Sequence, residues 1–316
     1  MLSLHTNAAT LSAQNSISRT QTSLSTSMTR LSTGYRINSA MDDAAGLQIA
    51  TRLKAQTSGM AVAMRNTQNS ISMLQTAEGA LDEVTNILTR MKDLATQAAD
   101  GSSSATDQGA MQKEYTSLTK ELSNIIGNTS FGGAKLLNNG TDGKFAAGAI
   151  KFQIGADSSE TMSFNISATG ADATSSLKNM HDAIKGAAAD FLGGAAGTAT
   201  VPTGSTAGAT GAEISGATAS AGATNANNAI ANLQNAIEKV STLRSEMGAA
   251  ANRLDHVYNN LANVSTNTKN ATGRIMDVDF ASESSSMTSN QMLMQAGTAM
   301  LKQTNSMSSM VMSLLQ

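Results

Sequence analysis

Apolar residues recur at steps of three and four at both ends of the chain, where they form narrow stripes in polar sequence. Residues 283–316 repeat their apolar positions every seven residues, and residues 1–35 carry a matching stripe. Helices with such narrow stripes bury little surface alone, so we expect the ends to pair with each other or with other chains. The residues predicted to form this seam are Leu24, Met28, Leu31, Tyr35, Met294, Leu301, Val311, Leu314 and Leu315.

Longer stripes between the ends predict three more helices. The first runs from about residue 42 to 99, and the second follows the break at 101–104 and runs back beside the first. The strongest stripe steps by three or four residues from Ile230 to Val264. We expect these helices to pack as a three-helix rod, whose core comes from distant parts of the sequence.

The apolar period changes to two in the centre of the chain. Residues 150–154 and 162–166 alternate apolar and polar positions around a turn at 157–160, which predicts a β-hairpin. Residues 168–224, rich in Ala, Gly, Thr and Ser, predict a small outward domain or loose insertion, in which 172–192 allows a helix. The predicted fold class is mainly α, a long coiled-coil-like helical rod from both chain ends with a small β-containing central insertion.

Composition argues against several classes of function. Charged residues make up 14% of the 316-residue chain and the net charge is -2, so no basic face is expected for nucleic acid. The chain has no cysteine, which excludes disulfides, thiolate nucleophiles and cysteine-ligated metals. His5, His181 and His256 are isolated, without the paired His and Glu of a zinc protease, and are expected at surfaces or interfaces. We expect no enzyme, no cofactor and no metal site.

Neither a cleaved export signal nor a membrane span is predicted. Residues 1–20 lack a basic stretch followed by an apolar block. No run approaches the roughly eighteen apolar residues that a spanning helix needs. We expect a soluble chain that, if exported, leaves the cell by a route other than a cleaved signal peptide.

Several short motifs, taken in order, resemble those of bacterial flagellins, the subunits of the flagellar filament. Each motif is a weak pattern alone, but the ordered set is specific, and the resemblance covers residues 1–140 and 225–316. The motifs are Arg30–Gly34, Tyr35–Ala40, Asp42–Gly46, Thr76–Ala80, Thr129–Gly133, Arg274–Phe280, Gln295–Gly297 and Ser313–Leu315.

The resemblance implies a structural subunit of an extracellular filament used for swimming. Flagellins pair their terminal helices in an inner tube, and these ends are disordered in the monomer and fold on assembly. The implied partners are further copies in a helical homopolymer, the flagellar export apparatus with a secretion chaperone, and the filament cap and hook-junction proteins. The implied domains are 1–41 (inner-tube helix and linker), 42–167 (rod, two helices and hairpin), 168–224 (variable outer insertion), 225–272 (rod helix) and 273–316 (linker and inner-tube helix).

Polar and charged residues near Gly34, where the inner-tube helix gives way to the rod, are candidates for helix caps and for salt bridges between subunits. Asn38 or Ser39 is expected to cap the helix that follows. Asp42 and Asp43 either favour that helix N-terminus through its dipole or form salt bridges between subunits, and both roles can hold. A dense assembly also favours intersubunit bridges, rather than solvation, for a set of arginines: Arg30, Arg36 and Arg52.

The resemblance alone also implies a surface that an immune receptor recognises. Residues 89–97 resemble the surface that a vertebrate Toll-like receptor recognises in many flagellins, with Arg90 and Leu94 on matching positions and Glu114 on the neighbouring helix. Residues 91–93 differ from the commonly recognised form, which leaves the strength of recognition open. The alternative is that Leu94 simply packs between subunits.

A related flagellar protein offers an alternative function. A hook-filament junction protein, an adaptor present in few copies, shares the terminal stripes but generally matches the rod motifs less fully. The complete run from Arg30 to Gly46 therefore favours a filament subunit.

The C-terminal segment departs from the family pattern in its composition. Residues 287–312 are unusually rich in methionine, which packs adaptably and is sensitive to oxidation.

Overall fold

The structure is a computed structural model, and it describes residues 8–138, 143–146, 148–166, 176–188, 191 and 211–314. The described side chains of the last helix end at residue 306. Six helices and four short strands lie in these ranges. They are α1 (Ala8–Thr33), α2 (Ala44–Ala98), α3 (Ala105–Asn128), β1 (Ser130–Phe131), β2 (Ala134–Lys135), β3 (Ile150–Gln153), β4 (Thr161–Phe164), α4 (Ser176–Ala187), α5 (Ala219–Met276) and α6 (Phe280–Leu314).

The chain divides into two compact units. Unit 1 contains residues 1–58 and 264–316, and unit 2 contains residues 59–263. The divisions fall inside α2 and α5. The predicted domain boundaries lie elsewhere along the chain, and they stay predictions.

Unit 2 holds the main hydrophobic core. The predicted stripes face it: Leu74, Leu81 and Leu88 of α2 are fully buried. Leu233 and Val240 of α5 are fully buried in the same cluster. Helix α3 adds its own buried face, formed by Tyr115, Leu122 and Ile126. The predicted packing of three helices around a core from distant sequence is confirmed.

Two antiparallel hairpins border this core. Strands β3 and β4 pair with Phe152 opposite Met162, as the alternating pattern predicted. Strands β1 and β2 form a second hairpin that we did not predict. Its two turn residues, Gly132 and Gly133, have φ angles of 59° and 83°, which a two-residue hairpin turn requires and glycine adopts without strain.

The described parts of the predicted outer insertion pack into the core, which differs from an outward domain or loose insertion. Helix α4 buries Leu177, Met180 and Ile184, and Ile214 is fully buried as well. The Tyr115 hydroxyl donates to the Ala187 carbonyl oxygen at 2.6 Å and so fastens α3 to the end of α4. The remaining parts, residues 168–175, 189–190 and 192–210, lie outside the described residues.

The expectation that every histidine lies at a surface or interface is wrong for His181. Its side chain is buried on α4, and its ring lies 5.9 Å from the ring of Phe191. Its Nδ1 lies 2.8 Å from the Leu177 carbonyl oxygen. Burial lowers the pKa of this imidazole, so the neutral ring is favoured in the core. His256 is exposed on α5, and His5 lies outside the described residues.

Candidate assembly surface

Unit 1 pairs the two chain ends, as the terminal stripes predicted. Helix α1 packs against α6. Gly297 lies against Ile17, and Glu283 lies beside Arg30. Because the partner number falls on α6 as it rises on α1, the two helices run antiparallel.

Gly297 lets α1 and α6 approach closely. A Cβ atom added there would lie 2.9 Å from Cγ1 of Ile17, closer than side-chain carbons normally pack. Met294 and Leu301 flank Gly297 and are half-buried, and Leu24 is buried on α1. The contact is therefore narrow and depends on one small residue.

The two linkers pair with each other beside this contact. Gly34 ends α1 with a φ of 74°, and its carbonyl oxygen accepts from the Val278 N–H at 3.0 Å. The Arg36 N–H donates to the Met276 carbonyl oxygen at 2.6 Å, and Tyr35 forms a β-bridge with Asp277. Backbone pairing thus ties residues 34–36 to residues 276–278.

Two of the three predicted bridging arginines have partners within the chain. The Arg30 guanidinium lies 3.7 Å from the Glu283 carboxylate, and Arg36 Nη2 donates to the Ile275 carbonyl oxygen at 3.0 Å. Arg52 is exposed on α2. Bridging between subunits by these residues stays a prediction, and each guanidinium keeps further N–H groups with which it could form such a bridge.

Asp42 and Asp43 organise the turn before α2. Asp43 Oδ1 accepts from the Gly46 N–H at 2.8 Å, so Asp43 caps α2, whereas the predicted caps Asn38 and Ser39 do not. Asp42 Oδ2 accepts from the N–H groups of Ser39 and Asn38 at 2.8 and 3.0 Å. These backbone hydrogen bonds lower the pKa of Asp42, with the Ser39 bond as the largest cause.

Most of the large apolar side chains of unit 1 are not enclosed. Its described residues bury only Leu24, Ile37 and Ala50 among their apolar side chains. We name the exposed large apolar side chains of unit 1 the assembly surface, because apolar side chains left in water are candidates for contact with another copy. They are Leu11, Met28, Tyr35, Met41, Ile49, Val264, Phe280, Met292, Leu293 and Met300.

The predicted seam residues fall into three groups. Met28 and Tyr35 belong to the assembly surface, while Leu24 is buried and Leu31, Met294 and Leu301 are half-buried at the α1–α6 contact. The side chains of Val311 and Leu314, and all of Leu315, lie outside the described residues. The predicted seam does not include Met41 and Phe280, which stand alone in polar surroundings and follow no periodic pattern.

The predicted receptor surface is only partly at the surface. Arg90 and Glu114 join α2 to α3 through an exposed ion pair, with Nη2 and Oε1 2.7 Å apart. Leu94 is only 3% exposed, because it shares the buried face of α2 with Met91 and Ala95. Its placement on that surface is corrected: the side chain lies in the core of unit 2.

The described residues offer neither a metal-binding cluster nor a membrane-spanning helix. These ranges contain no group of three or more His, Asp, Glu or Cys side chains placed to hold a metal ion. None of the helices in them is both long and apolar enough to cross a membrane.

Comparison with protein families gives two matches. The bacterial flagellin N-terminal helical region matches residues 4–142, and the bacterial flagellin C-terminal helical region matches residues 230–315. The first match includes all of α1, α2 and α3, and the second includes α6 and the part of α5 from residue 230 onwards.

Curated proteins with similar sequences are also flagellins. Flagellin B of Vibrio cholerae is 45% identical over 195 residues, which are 62% of this chain and 50% of that protein. The B-type flagellin of Pseudomonas aeruginosa is 49% identical over 175 residues, which are 55% of this chain and 35% of that protein. The chain thus spans half or less of the length of these relatives.

Two solved structures resemble this one. A crystal structure of Bacillus cereus flagellin is 30% identical, with a TM-score of 0.43 over 62% of this chain and 88% of that chain. A structure described as that of a flagellar hook-associated protein from Vibrio parahaemolyticus is 17% identical. Its TM-score is 0.52 over 75% of this chain and 100% of that chain, and this likeness concerns the fold alone.

Proposed function

This chain belongs to the bacterial flagellin family, and we propose that it is a structural subunit that polymerises into the extracellular filament of the bacterial flagellum. The family is a structural one, and no catalytic role is proposed. The single observation that carries the proposal is the assembly surface: unit 1 pairs two long helices but leaves most of its large apolar side chains in water.

The free energy of burial explains why copies would associate through this surface. Each large apolar side chain moved from water into a packed contact contributes about 1.5–3 kcal/mol before the cost of ordering. Leu293 and Met300 lie seven residues apart on α6 and would enter such a contact together. A contact of this kind, repeated by every copy without closing into a ring, produces a filament.

Assembly also provides a reason for folding of the chain ends. Helices with such a narrow contact gain little from their own pairing, so the terminal segments of unit 1 are proposed to become fully ordered only as neighbouring copies cover them. Motility then depends on the same apolar contact as filament stability.

The remaining partners follow from this role as proposals. They are the flagellar export apparatus with a secretion chaperone, the filament cap and the hook-junction proteins, with export that needs no cleaved signal peptide. A junction adaptor remains the alternative function. The matches to both flagellin helical regions support the filament subunit instead.

Recognition by a vertebrate Toll-like receptor is proposed at the exposed pair of Arg90 and Glu114, without a direct contact from the buried Leu94. A receptor-reporter assay tests it with Arg90→Ala, for which we expect a weaker response than for the unaltered chain. An unchanged response would remove this surface from the proposal.

Seeded growth tests the proposed filament directly. Purified chain mixed with sheared flagellar filaments should add long segments that electron microscopy can measure. Leu293→Gln places a polar group on the assembly surface without disturbing a buried residue, and we expect it to abolish or strongly slow growth. Gln291→Ala, also exposed on α6, is the matched control and should grow normally. Failure of the unaltered chain to grow would contradict the proposal.

A further inference from the structure

Unit 2 carries an open groove of about 450 Å³ beside helix α2 and strands β1 and β3. Its apolar lining consists of four side chains: Met73, Phe131, Ile150 and Phe152. Met73 and Phe152 are buried, whereas Phe131 and Ile150 are half-buried, so part of this apolar lining still faces water. An open groove with an apolar lining is suited to receive an apolar side chain from another molecule.

Two lysines give the groove a positive charge. Lys144 and Lys151 both line it, and both are exposed. Neither lysine forms an ion pair with any residue that the structure describes. The described residues that line the groove include no aspartate or glutamate. The groove therefore favours an apolar side chain that arrives together with negative charge.

The turn before α2 combines an apolar side chain with negative charge. Met41 is 97% exposed, and no other large apolar side chain of the described residues is exposed to the same degree. Asp42 and Asp43 follow it directly and are exposed as well. Their carboxylates accept hydrogen bonds from the backbone of residues 38, 39 and 46, which fixes the turn that carries Met41. Because Met41 stands in solvent, it does not occupy the groove of its own chain.

We propose that, in the filament, this groove receives the Met41 side chain of another copy. The two lysines of the groove then lie beside the carboxylates of Asp42 and Asp43. This inference rests on the proposed function and deepens it, because it names what covers one member of the assembly surface. The turn and the groove are different surfaces, so each added copy leaves one of each free for the next copy.

The proposed contact does not require α1 and α6 to be paired in the free monomer. It uses the turn at residues 38–43, which local hydrogen bonds hold, and a groove that lies within unit 2. The contact forms as a copy joins the filament, which is also when the terminal segments are proposed to become fully ordered.

Phe280 is the other exposed apolar residue that directly neighbours a carboxylate, that of Asp279. It is 57% exposed, and its ring lies 3.9 Å from the position of a Cβ atom added at Gly34. Part of the Phe280 ring is therefore already packed against the linker. Met41 is more exposed and is followed by two carboxylates, so it fits the groove better.

Cross-linking between two single-cysteine chains tests the proposal. The unaltered chain has no cysteine, so Met41→Cys places one thiol in the turn and Asn69→Cys places one in the groove. Equal amounts of the two full-length chains are grown together on sheared filaments and then oxidised. A disulfide between positions 41 and 69 must then join two copies. We expect peptide mass spectrometry to find this pair in filaments and not in mixed monomers.

Gln75→Cys is the matched control for the thiol in the groove. Gln75 is also exposed on α2. It lies at least about 120° around the helix from each α2 residue that lines the groove. A disulfide forms only between closely spaced residues, so we expect at least about tenfold less pairing of position 41 with position 75 than with position 69.

Growth measurements test the same contact without a thiol. Met41→Gln should need at least about tenfold more subunit for growth, because a polar group enters an apolar groove. Met41→Leu keeps the apolar volume and should grow normally. Lys151→Glu should also raise the concentration needed, whereas Lys120→Glu, exposed on α3 outside the groove, is its control. Met41→Gln and Lys151→Glu alter one contact, so their combined effect should be smaller than the product of the two.

The outcomes separate this inference from the proposed function. If the unaltered chain does not grow, the proposed function fails. If filaments grow but position 41 pairs with position 69 no more than with position 75, only this inference is overturned. A disulfide formed instead between Phe280→Cys and Asn69→Cys would assign the groove to Phe280 and overturn it too. Normal growth of Met41→Gln would likewise contradict it.

Discussion

Glu283 on α6 lies beside Arg30 on α1, with their Oε2 and Nη1 atoms 3.7 Å apart, and it joins the two terminal helices next to the linkers. The carboxylate side chain is only 14% exposed and the guanidinium 30%. An ion pair with this degree of shielding holds its partners more firmly than one in open solvent.

Removal of one charge should weaken the pairing of α1 with α6. For Glu283→Gln we expect a loss of about 1 kcal/mol, because the Arg30 guanidinium keeps its desolvation without its partner. Hydrogen exchange of the α6 amides measures this loss. The double change Arg30→Glu with Glu283→Arg should recover part of it, and purely additive effects would rule out a direct interaction.

A larger residue at Gly297 should separate the same helices. Gly297→Val places carbon atoms against Ile17, and we expect a loss of about 1–3 kcal/mol in the pairing of α1 with α6. Hydrogen exchange of both helices is again the measurement. Gly79→Val on α2 is the matched control, since no atom lies within 4 Å of its added Cβ. Its effect should stay within about 0.5 kcal/mol, and equal effects at both sites would contradict the close approach.

Tyr115→Phe should destabilise unit 2. The change removes the hydroxyl that donates to the Ala187 carbonyl oxygen at 2.6 Å and leaves that buried acceptor unpaired. We expect the free energy of unfolding to fall by about 1–3 kcal/mol in a denaturant titration. Tyr258→Phe on α5, where the residue is half-buried, is the control and should change it little. A Tyr115→Phe chain as stable as the unaltered one would show that this hydrogen bond does not stabilise the fold.

Acid should loosen the turn before α2. The pKa of Asp42 is lowered from its ordinary 3.8 by the N–H groups of Ser39 and Asn38, so the folded turn favours the ionised carboxylate. This contribution is fully present above pH 3.8 and is lost as the pH falls through the lowered folded pKa. An NMR titration of the carboxyl carbon should place the Asp42 pKa below 3.8. A value at or above that figure would contradict the geometry of the turn.

Periodic patterns predicted much of the fold from the sequence. Leu74, Leu81 and Leu88 follow one another at intervals of seven residues. This spacing identified the buried face of α2, because side chains seven residues apart lie on nearly the same side of a helix. Pairing of the chain ends followed from the same argument. At α6, however, adjacent residues such as Met300 and Leu301 both fit the stripe. Only the position of α1 decides which of them is covered.

Burial that depends on distant residues could not be predicted in this way. Glu213 is buried, and its carboxylate accepts a hydrogen bond at 2.5 Å from the side-chain amide of Gln112, 101 residues earlier in the chain. Polar, glycine-rich sequence around it indicated a loose segment instead. Leu94 and His181 were misplaced for a related reason: motif resemblance and isolation in sequence carry no information on which helix face meets the core.

We propose that the assembly surface is exposed in the monomer and covered in the filament. The chain has no cysteine, so Leu293→Cys introduces a single thiol whose reaction rate with a maleimide reports exposure of the assembly surface on α6. Leu94→Cys, at a position buried in unit 2, provides the slow reference for a covered thiol. We predict fast labelling at position 293 in the monomer and labelling at least about tenfold slower in the filament, as water is excluded from a packed contact. Equal rates in monomer and filament would contradict the account.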